Sequence, residues 1–208
     1  PRSVPVSYEF SAQVVPYRRV DVRSRVEGLI LERPFVEGQI VHPGDVLYRL
    51  ETVKYDAAFR SADARFQNAR LRLDRLEPLV TRHAVAQQDV DNARSEFQSA
   101  QAALEQARKD STDTVVRAEI EGRVGRTELE VGARVTGPAN LLTTIDRLDP
   151  VYVTFRPSSE QLLRWNGDPG SRALTRAGSR LSVEVVLPDG RTLPRQGRLT
   201  FVAPSLDP

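Results

Sequence analysis

The feature of this sequence that most constrains its fold is a pair of apolar seams in the middle of the chain. The first seam begins at Tyr55 and ends at Val80, and the second begins at Ala86 and ends at Ala107. In both seams, apolar residues recur at alternating intervals of four and three positions, which is typical of helices that pack along one stripe. A short connection separates them, so the sequence predicts two antiparallel helices. A four-helix bundle has the same spacing, but no other segment carries a comparable seam.

A proline lies near the end of the first seam. Pro78 has no amide hydrogen, and in a helix its ring clashes with the carbonyl group four residues earlier. We therefore expect the first helix to bend or end near Glu77.

The segments on either side of the seams repeat each other. Residues 22–30 align with residues 116–124 at an offset of 94, and the same offset carries Gly38 onto Gly132. Alternating apolar residues punctuated by glycine are typical of short strands. Each copy, at about 30 residues, is too short to bury a core alone. We expect the two copies to pack as one β-sandwich, with Gly28 and Gly122 in equivalent turns related by a pseudo-twofold axis.

A second β region follows the repeat. Strand-like runs are predicted at residues 151–155, 181–187 and 199–202, and residues 4–20 are also strand-like. A turn is predicted at residues 188–190 and a short capped helix at residues 158–165. The predicted fold class is α+β, mainly β: a β-sandwich split by a long helical hairpin, with a second β domain. We expect that second domain to be incomplete, because the chain stops shortly after a strand.

The residue inventory argues against catalysis and against bound metals or cofactors. The chain has no cysteine and no methionine, and its two histidines, His42 and His83, are far apart in sequence. Neither a hydrolase, a phosphate-binding nor a dinucleotide motif occurs. The prediction is a protein that is not an enzyme and has no catalytic residues, metal site or cofactor.

The charge pattern argues against a nucleic-acid partner. The formal net charge is +2, and arginines alternate with acidic residues along the chain. A nucleic-acid-binding protein gathers its positive charge on one face. No nucleic-acid partner is therefore predicted.

Lys54 supports a different hypothesis, that of a carrier domain. It follows the first β copy within the run Glu51-Thr52-Val53-Lys54, and lipoyl and biotinyl carriers present a modified lysine at a turn between two such copies. In those carriers the second copy follows at once, whereas here about 60 residues of predicted helix intervene. A solvated lysine at a helix start is the alternative interpretation, and it is favoured.

Four short motifs, in a fixed order around the predicted hairpin, resemble those of one known family. The motifs are residues 26–30, 36–48, 120–125 and 148–153. The chain resembles the periplasmic adaptors, or membrane fusion proteins, of tripartite resistance–nodulation–division (RND) efflux pumps. The resemblance implies lipoyl-like domain halves at 22–53 and 113–147, an α-helical coiled-coil hairpin at 54–112, and an incomplete β-barrel domain at 1–21 with 148–208. It also implies a membrane-proximal domain beyond Pro208.

The resemblance further implies a role in transport. An adaptor of this kind is expected in the periplasm, attached to the inner membrane by an anchor outside this sequence. Its expected partners are an inner-membrane proton-driven RND transporter, an outer-membrane channel and further copies of itself in a ring, trimeric or hexameric, for export of drugs or amphiphilic compounds. An adaptor of an ABC-type or heavy-metal exporter is an alternative, as are the carrier domain and a generic coiled-coil scaffold.

The resemblance places the contact with the outer-membrane channel at the tip of the hairpin. The family uses an arginine, a leucine four residues later and a serine seven further. Arg75 and Leu79 match the first two, and Ala86 stands where the serine would be. We expect exposed apolar residues at the tip ringed by basic ones, and an ordinary exposed helix arginine is the alternative for Arg75. The candidate site residues are Arg75, Leu79, Val80, Arg82, His83, Val85 and Ala86.

Overall fold

In the computed structural model, residues 9–82, 84–156, 158, 160 and 182–200 are described, and they form ten strands and two long helices. The predicted class, mainly β with two helices, is confirmed. The chain divides into two compact units, residues 15–152 and residues 1–14 with 153–208.

The two helices follow the two seams. Helix α1 is Val53–Val80 and helix α2 is Gln87–Thr112. Phe66 packs against Phe97 with ring centroids 5.3 Å apart, and Arg72 pairs with Glu96 at 2.7 Å. Residues further along α1 thus meet residues earlier in α2, so the helices run antiparallel. Along α1 the buried residues are all seam positions, namely Tyr55, Ala62, Ala69 and Leu73.

The helix ends differ in two details from those expected. Helix α1 continues through Pro78 and ends at Val80, three residues after Glu77. Pro78 lies in the last turn, where losing one amide hydrogen interrupts a single helical hydrogen bond. Ala86 does not begin the second seam: it caps α2 in an extended conformation with an exposed side chain, and the buried stripe begins at Val90.

Two four-stranded sheets enclose the core of the larger unit. Their strands are β1 (Ala12–Arg23), β2 (Glu27–Glu32), β3 (Ile40–Val41), β4 (Val46–Leu50), β5 (Val115–Arg117), β6 (Gly122–Val124), β7 (Arg134–Thr136) and β8 (Leu141–Phe155). One sheet has the order β5-β4-β2-β7 and the other β1-β8-β6-β3. The core between them draws on both repeat copies: Val22, Val26, Ile30, Phe35, Val41, Leu47, Tyr48, Leu50, Tyr55, Val116, Ala118, Val124, Val135, Leu142 and Ile145.

The offset of 94 relates one sheet to the other strand by strand. It carries β2 onto β6, β4 onto β8, and β3 onto β7, so the two strand orders correspond. Residues equivalent in the repeat also meet: the Tyr48 hydroxyl donates a hydrogen bond of 3.1 Å to the Leu142 carbonyl, and Arg25 pairs with Glu119 at 2.9 Å. The prediction that the two copies share one core is confirmed.

The predicted place of two glycines is wrong. Gly28 and Gly122 are equivalent, but they lie within strands β2 and β6, where they pair with Val135 and Val41. The glycines that make turns are others, such as Gly38 and Gly132, whose φ angles are +80° and +91°.

The second β region is described in part. Strands β9 (Ser182–Val183) and β10 (Gly197–Arg198) pair antiparallel. The predicted turn at 188–190 is present, since Gly190 has a φ of +81° and its amide donates to the Leu187 carbonyl at 2.9 Å. The predicted short helix lies almost entirely outside the described residues, as do the start of the N-terminal strand and residues 201–202.

Candidate functional site

The connection between α1 and α2 is a tight turn that forms the tip of the helix pair. The carbonyl group of Leu79 accepts hydrogen bonds from the backbone amides of Arg82, at 3.2 Å, and Ala84, at 3.0 Å. The Thr81 hydroxyl donates to the Pro78 carbonyl at 2.9 Å. These bonds satisfy carbonyl groups that the end of a helix otherwise leaves without partners. The tip is therefore an ordered turn over its described residues.

The apolar residues of the tip are less exposed than the sequence suggested. Val80 and Val85 are half-buried and pack against a small apolar cluster formed by Leu73, Val90 and Ala93. Leu79 is also half-buried. The expectation of exposed apolar residues is wrong for these three, because Val80 still packs in the seam as the last residue of α1 and the turn brings Val85 back against it.

Arg75 and Arg82 are the free cations of this site. Both are exposed, and within the described residues neither forms an ion pair. The Arg75 Nε atom donates to the Leu71 carbonyl at 3.0 Å, which leaves its other guanidinium N–H groups directed to solvent. Such a group can bind a carboxylate or a backbone carbonyl of another protein.

An open groove runs beside Arg75 on the same face of the helix pair. It is lined by Arg72, Arg75, Leu76, Leu79 and Asp89. Arg72 forms an ion pair with Glu96, so the groove combines one paired cation, one free cation, two leucines and the Asp89 carboxylate. Sequence reasoning missed Arg72, Leu76 and Asp89. The first two could have been found, since they stand three residues before Arg75 and three before Leu79, on one helical face.

One exposed leucine near the groove was also missed. Leu71 is 57% exposed, and it lies outside the seam.

Two of the predicted site residues remain, Ala86 and His83. The Ala86 side chain is exposed, and the Ala86 carbonyl accepts a hydrogen bond of 3.0 Å from the backbone amide of the groove residue Asp89. His83 lies outside the described residues.

Lys54 is far from the tip and is not placed as a carrier lysine would be. It lies in the first turn of α1, where its ammonium group donates to the Glu27 carboxylate. This hydrogen bond, together with the charge of Glu27, raises the pKa of Lys54. A raised pKa favours the charged ammonium, whereas acylation requires the neutral amine.

Within the described part of the chain, no cluster of three or more His, Asp or Glu residues could hold a metal ion. None of its helices is both long and apolar enough to cross a lipid bilayer.

Known proteins similar to this chain are efflux proteins. The chain is 36% identical over 208 residues to the multidrug resistance protein MexA of Pseudomonas aeruginosa, covering 99% of this chain and 54% of that protein. It is 35% identical over 209 residues to the toluene efflux pump periplasmic linker protein TtgA of Pseudomonas putida, covering 100% of this chain and 54% of that protein. The chain thus spans about half the length of these curated relatives. No enzyme family is indicated by them.

Solved structures agree on the fold. A MacA–MexA chimeric protein that contains the MexA α-hairpin domain of Pseudomonas aeruginosa has a TM-score of 0.77 and 21% identity, covering 93% of this chain and 66% of that one. A putative efflux transporter from Bacteroides eggerthii has a TM-score of 0.69 and 19% identity, covering 92% of this chain and 58% of that one.

The part of the chain that contains the repeated strands also matches the sequence model of a known family. Residues 18–147, which include both sheets' repeat copies and both helices, match the model of the RND membrane fusion protein barrel-sandwich hybrid domain. The chain therefore belongs to the RND membrane fusion protein family, the periplasmic adaptors of RND efflux pumps.

Proposed function

We propose that this chain is part of a periplasmic adaptor that joins an inner-membrane RND transporter to an outer-membrane channel. The observation that carries the proposal is the alignment of nearly the whole chain with efflux pump linkers, together with the family match over residues 18–147. The role is structural rather than enzymatic. The protein is held at the inner membrane, and several copies form a ring.

The architecture proposed for this role has three parts. The two sheets are a lipoyl-like domain with halves at 22–53 and 113–147, the helix pair is a coiled-coil hairpin over 54–112, and residues 1–21 with 148–208 belong to a β-barrel. The antiparallel helices, which meet along a stripe of buried and half-buried residues, support the second part. Helix α1 has 28 residues, so it extends about 42 Å from the sandwich.

The tip is the proposed contact with the outer-membrane channel. Its free cations, Arg75 and Arg82, and the groove beside Leu79 offer charged hydrogen bonds around a small apolar surface. A contact of this size is weak by itself, but a ring of adaptors repeats it, and avidity makes the assembly stable. His83, Val85 and Ala86 complete the proposed surface, with Val80 supporting it from below.

The test is a double substitution at the tip of the full-length adaptor. Arg75→Asp with Leu79→Ser reverses one charge and removes one apolar contact, and neither residue belongs to the fully buried stripe. Cells that depend on this adaptor should lose drug resistance, while the protein keeps its normal amount, its helicity by circular dichroism and its binding to the inner-membrane transporter. Arg65→Asp, the same charge change on an exposed position of α1 away from the tip, should leave resistance intact.

Wild-type resistance in the double variant would show that the tip is not the docking surface. The carrier hypothesis is decided separately by the intact mass of the protein purified from cells. A mass increment that disappears in Lys54→Met would establish a carrier and exclude a purely structural role.

A further inference from the structure

The helix pair is joined to the sandwich by side chains as well as by the chain itself, and two side-chain hydrogen bonds from the first turn of α1 go to one residue of β2. The Lys54 ammonium donates to the Glu27 carboxylate, and the Tyr55 hydroxyl donates to the Glu27 carbonyl at 2.7 Å. Tyr55 is 8% exposed and belongs to the sandwich core. Glu27 therefore holds the first turn of α1 by both its side chain and its backbone.

The end of α2 is held from the same short stretch of chain. Arg25 lies two residues before Glu27, and its Nη1 atom is 3.6 Å from Oδ1 of Asp113, the residue that caps α2. The Asp113 side chain is only 15% exposed, so its carboxylate has little access to water and depends on its cationic neighbours. Arg25 also binds Glu119 at 2.9 Å, which anchors it to the other repeat copy.

The signs of these charges match the helices they meet. A helix carries a partial positive charge at its first turn and a partial negative charge at its last. The anionic Glu27 meets the beginning of α1, and the cationic Arg25 meets the end of α2. If the two charges were exchanged, each would lie beside a helix end whose partial charge has the same sign.

We propose that Arg25 and Glu27 are positioning residues that form a two-charge clamp, which fixes the direction in which the helix pair leaves the sandwich. Its consequence for efflux rests on the proposed function, but the clamp itself does not. The Glu27–Lys54 pair is largely exposed, so it contributes little to the stability of the fold. The influence of the clamp on direction is amplified by the length of α1, since a tilt of about 10° over about 42 Å moves the tip by about 7 Å.

The clamp is tested by measuring the distance from the sandwich to the helix pair. These 208 residues contain no cysteine, so spin labels at Glu128→Cys and Ser95→Cys occupy the only two thiols. Pulsed electron paramagnetic resonance then gives the distribution of distances between the two labels. Glu27→Lys should shift and broaden this distribution by several ångströms, with an unchanged melting temperature. Adding Lys54→Glu, which restores the pair with reversed signs, should narrow it again.

Strand β2 supplies a matched control. Glu32 pairs with Arg49 at 3.1 Å and is exposed like Glu27, but this pair lies within the sheet and does not touch the helices. Glu32→Lys should leave the distance distribution as in the wild type. Should Glu27→Lys fail to fold, Lys54→Met removes the same ion pair by losing one charge, and should broaden the distribution.

A wild-type distance distribution in the folded Glu27→Lys protein, or in Lys54→Met, would overturn the clamp. So would a Glu32→Lys variant that broadens the distribution equally, or a reversed pair that fails to narrow it. The distances are measured on the isolated chain, so they decide the clamp whether or not the protein serves an efflux pump. In cells carrying the full-length adaptor, resistance should fall with Glu27→Lys and return with the reversed pair. Normal resistance despite a broadened distribution would overturn the role of direction in efflux alone.

Discussion

Gly28 and Gly122 occupy equivalent positions in the two repeat copies, yet the space around them differs. A Cβ atom on Gly122 would lie 2.7 Å from the Asp146 carbonyl oxygen and 2.8 Å from the Ile145 side chain. On Gly28, the nearest atom would be 3.5 Å away, which is ordinary contact. Position 122 therefore requires glycine, because atoms of β8 occupy the space that a side chain would need, whereas position 28 has room for a Cβ atom.

This difference predicts unequal costs for the same substitution. Gly122→Ala should lower the free energy of unfolding by about 1–3 kcal/mol, because backbone and a packed side chain must move. Gly28→Ala, its matched control, should change it by no more than about 0.5 kcal/mol. Urea denaturation of the two variants measures both values. Equal destabilisation would show that the close approach of β8 to Gly122 does not decide the cost of the substitution.

The pKa of Glu27 depends on its ion pair with Lys54. The hydrogen bond from Lys54 and its positive charge hold the pKa of Glu27 below the ordinary value. Since this pKa is lower in the folded state than in the unfolded state, the pair stabilises the fold above about pH 4.3 and stops doing so as the pH falls through the folded-state pKa.

Replacing the partner should abolish this shift. Lys54→Met is expected to raise the pKa of Glu27 to that of an ordinary glutamate, whereas Lys54→Arg keeps the positive charge and should keep the pKa low. Nuclear magnetic resonance of the Glu27 side-chain carboxyl carbon during an acid titration measures it. An unchanged pKa in the Lys54→Met variant would assign the shift to another group, of which Arg134 is the nearest candidate.

At the scale of elements, the helix pair is held by a stripe that repeats every two turns, so whole repeats can be removed. Phe66 and Phe97 face each other across one such layer. Deleting residues 63–69 and 97–103 together removes seven residues from each helix and keeps both stripes continuous. Each helix then shortens by about 10 Å.

This paired deletion is expected to fold with helical content reduced in proportion and with little change in the melting temperature of the sandwich. Deleting residues 63–69 alone leaves the helices unequal, breaks the register of their layers and should unfold the outer part of the pair. Circular dichroism of the two variants distinguishes them. A cooperative, fully helical single deletion would show that the register is not fixed by the stripe.

The elements that the sequence predicted well are those with local signals. The helices were visible because their contacts recur every three or four residues, and the sandwich because its strands are repeated. The burial of Val85 was not visible, since it depends on how a six-residue turn folds back. Nor was the core role of Tyr55, which lies in the first turn of α1 and packs into the core of the sandwich. Arg25 and Asp113 are separated in sequence by the whole helix pair, and no local sequence pattern predicts a contact between residues so far apart.

At the scale of the whole molecule, each sheet of the larger unit is built from both repeat copies. The first sheet has β4 and β2 in its centre, flanked by β5 and β7 from the other copy, and the second sheet reverses these roles. Each copy thus contributes the middle of one sheet and the edges of the other. Neither copy forms a complete sheet by itself.

Because each sheet contains strands from both copies, we expect the protein to stay folded when the chain is cut at the tip of the helix pair. A specific protease site inserted between Arg82 and Ala84 should yield two pieces that elute together in native buffer and separate only in denaturant, with one shared unfolding transition. The uncut protein gives the reference transition. Pieces that separate without denaturant would show that the copies are held together mainly by the connection at the tip.

The interlocked strands also set an order of events during folding. Strand β1 and its neighbour β8 are far apart in sequence, so the outermost strand of the first copy finds its partner only after distant parts of the chain have come together. The helix pair needs only contacts closer in sequence and can therefore form before the two copies meet. Once formed, it brings Leu50 beside Thr114, whose carbonyl accepts the Leu50 amide at 2.9 Å. The helix pair thus closes the long loop between the two copies in advance, which lowers the entropic cost of pairing their strands.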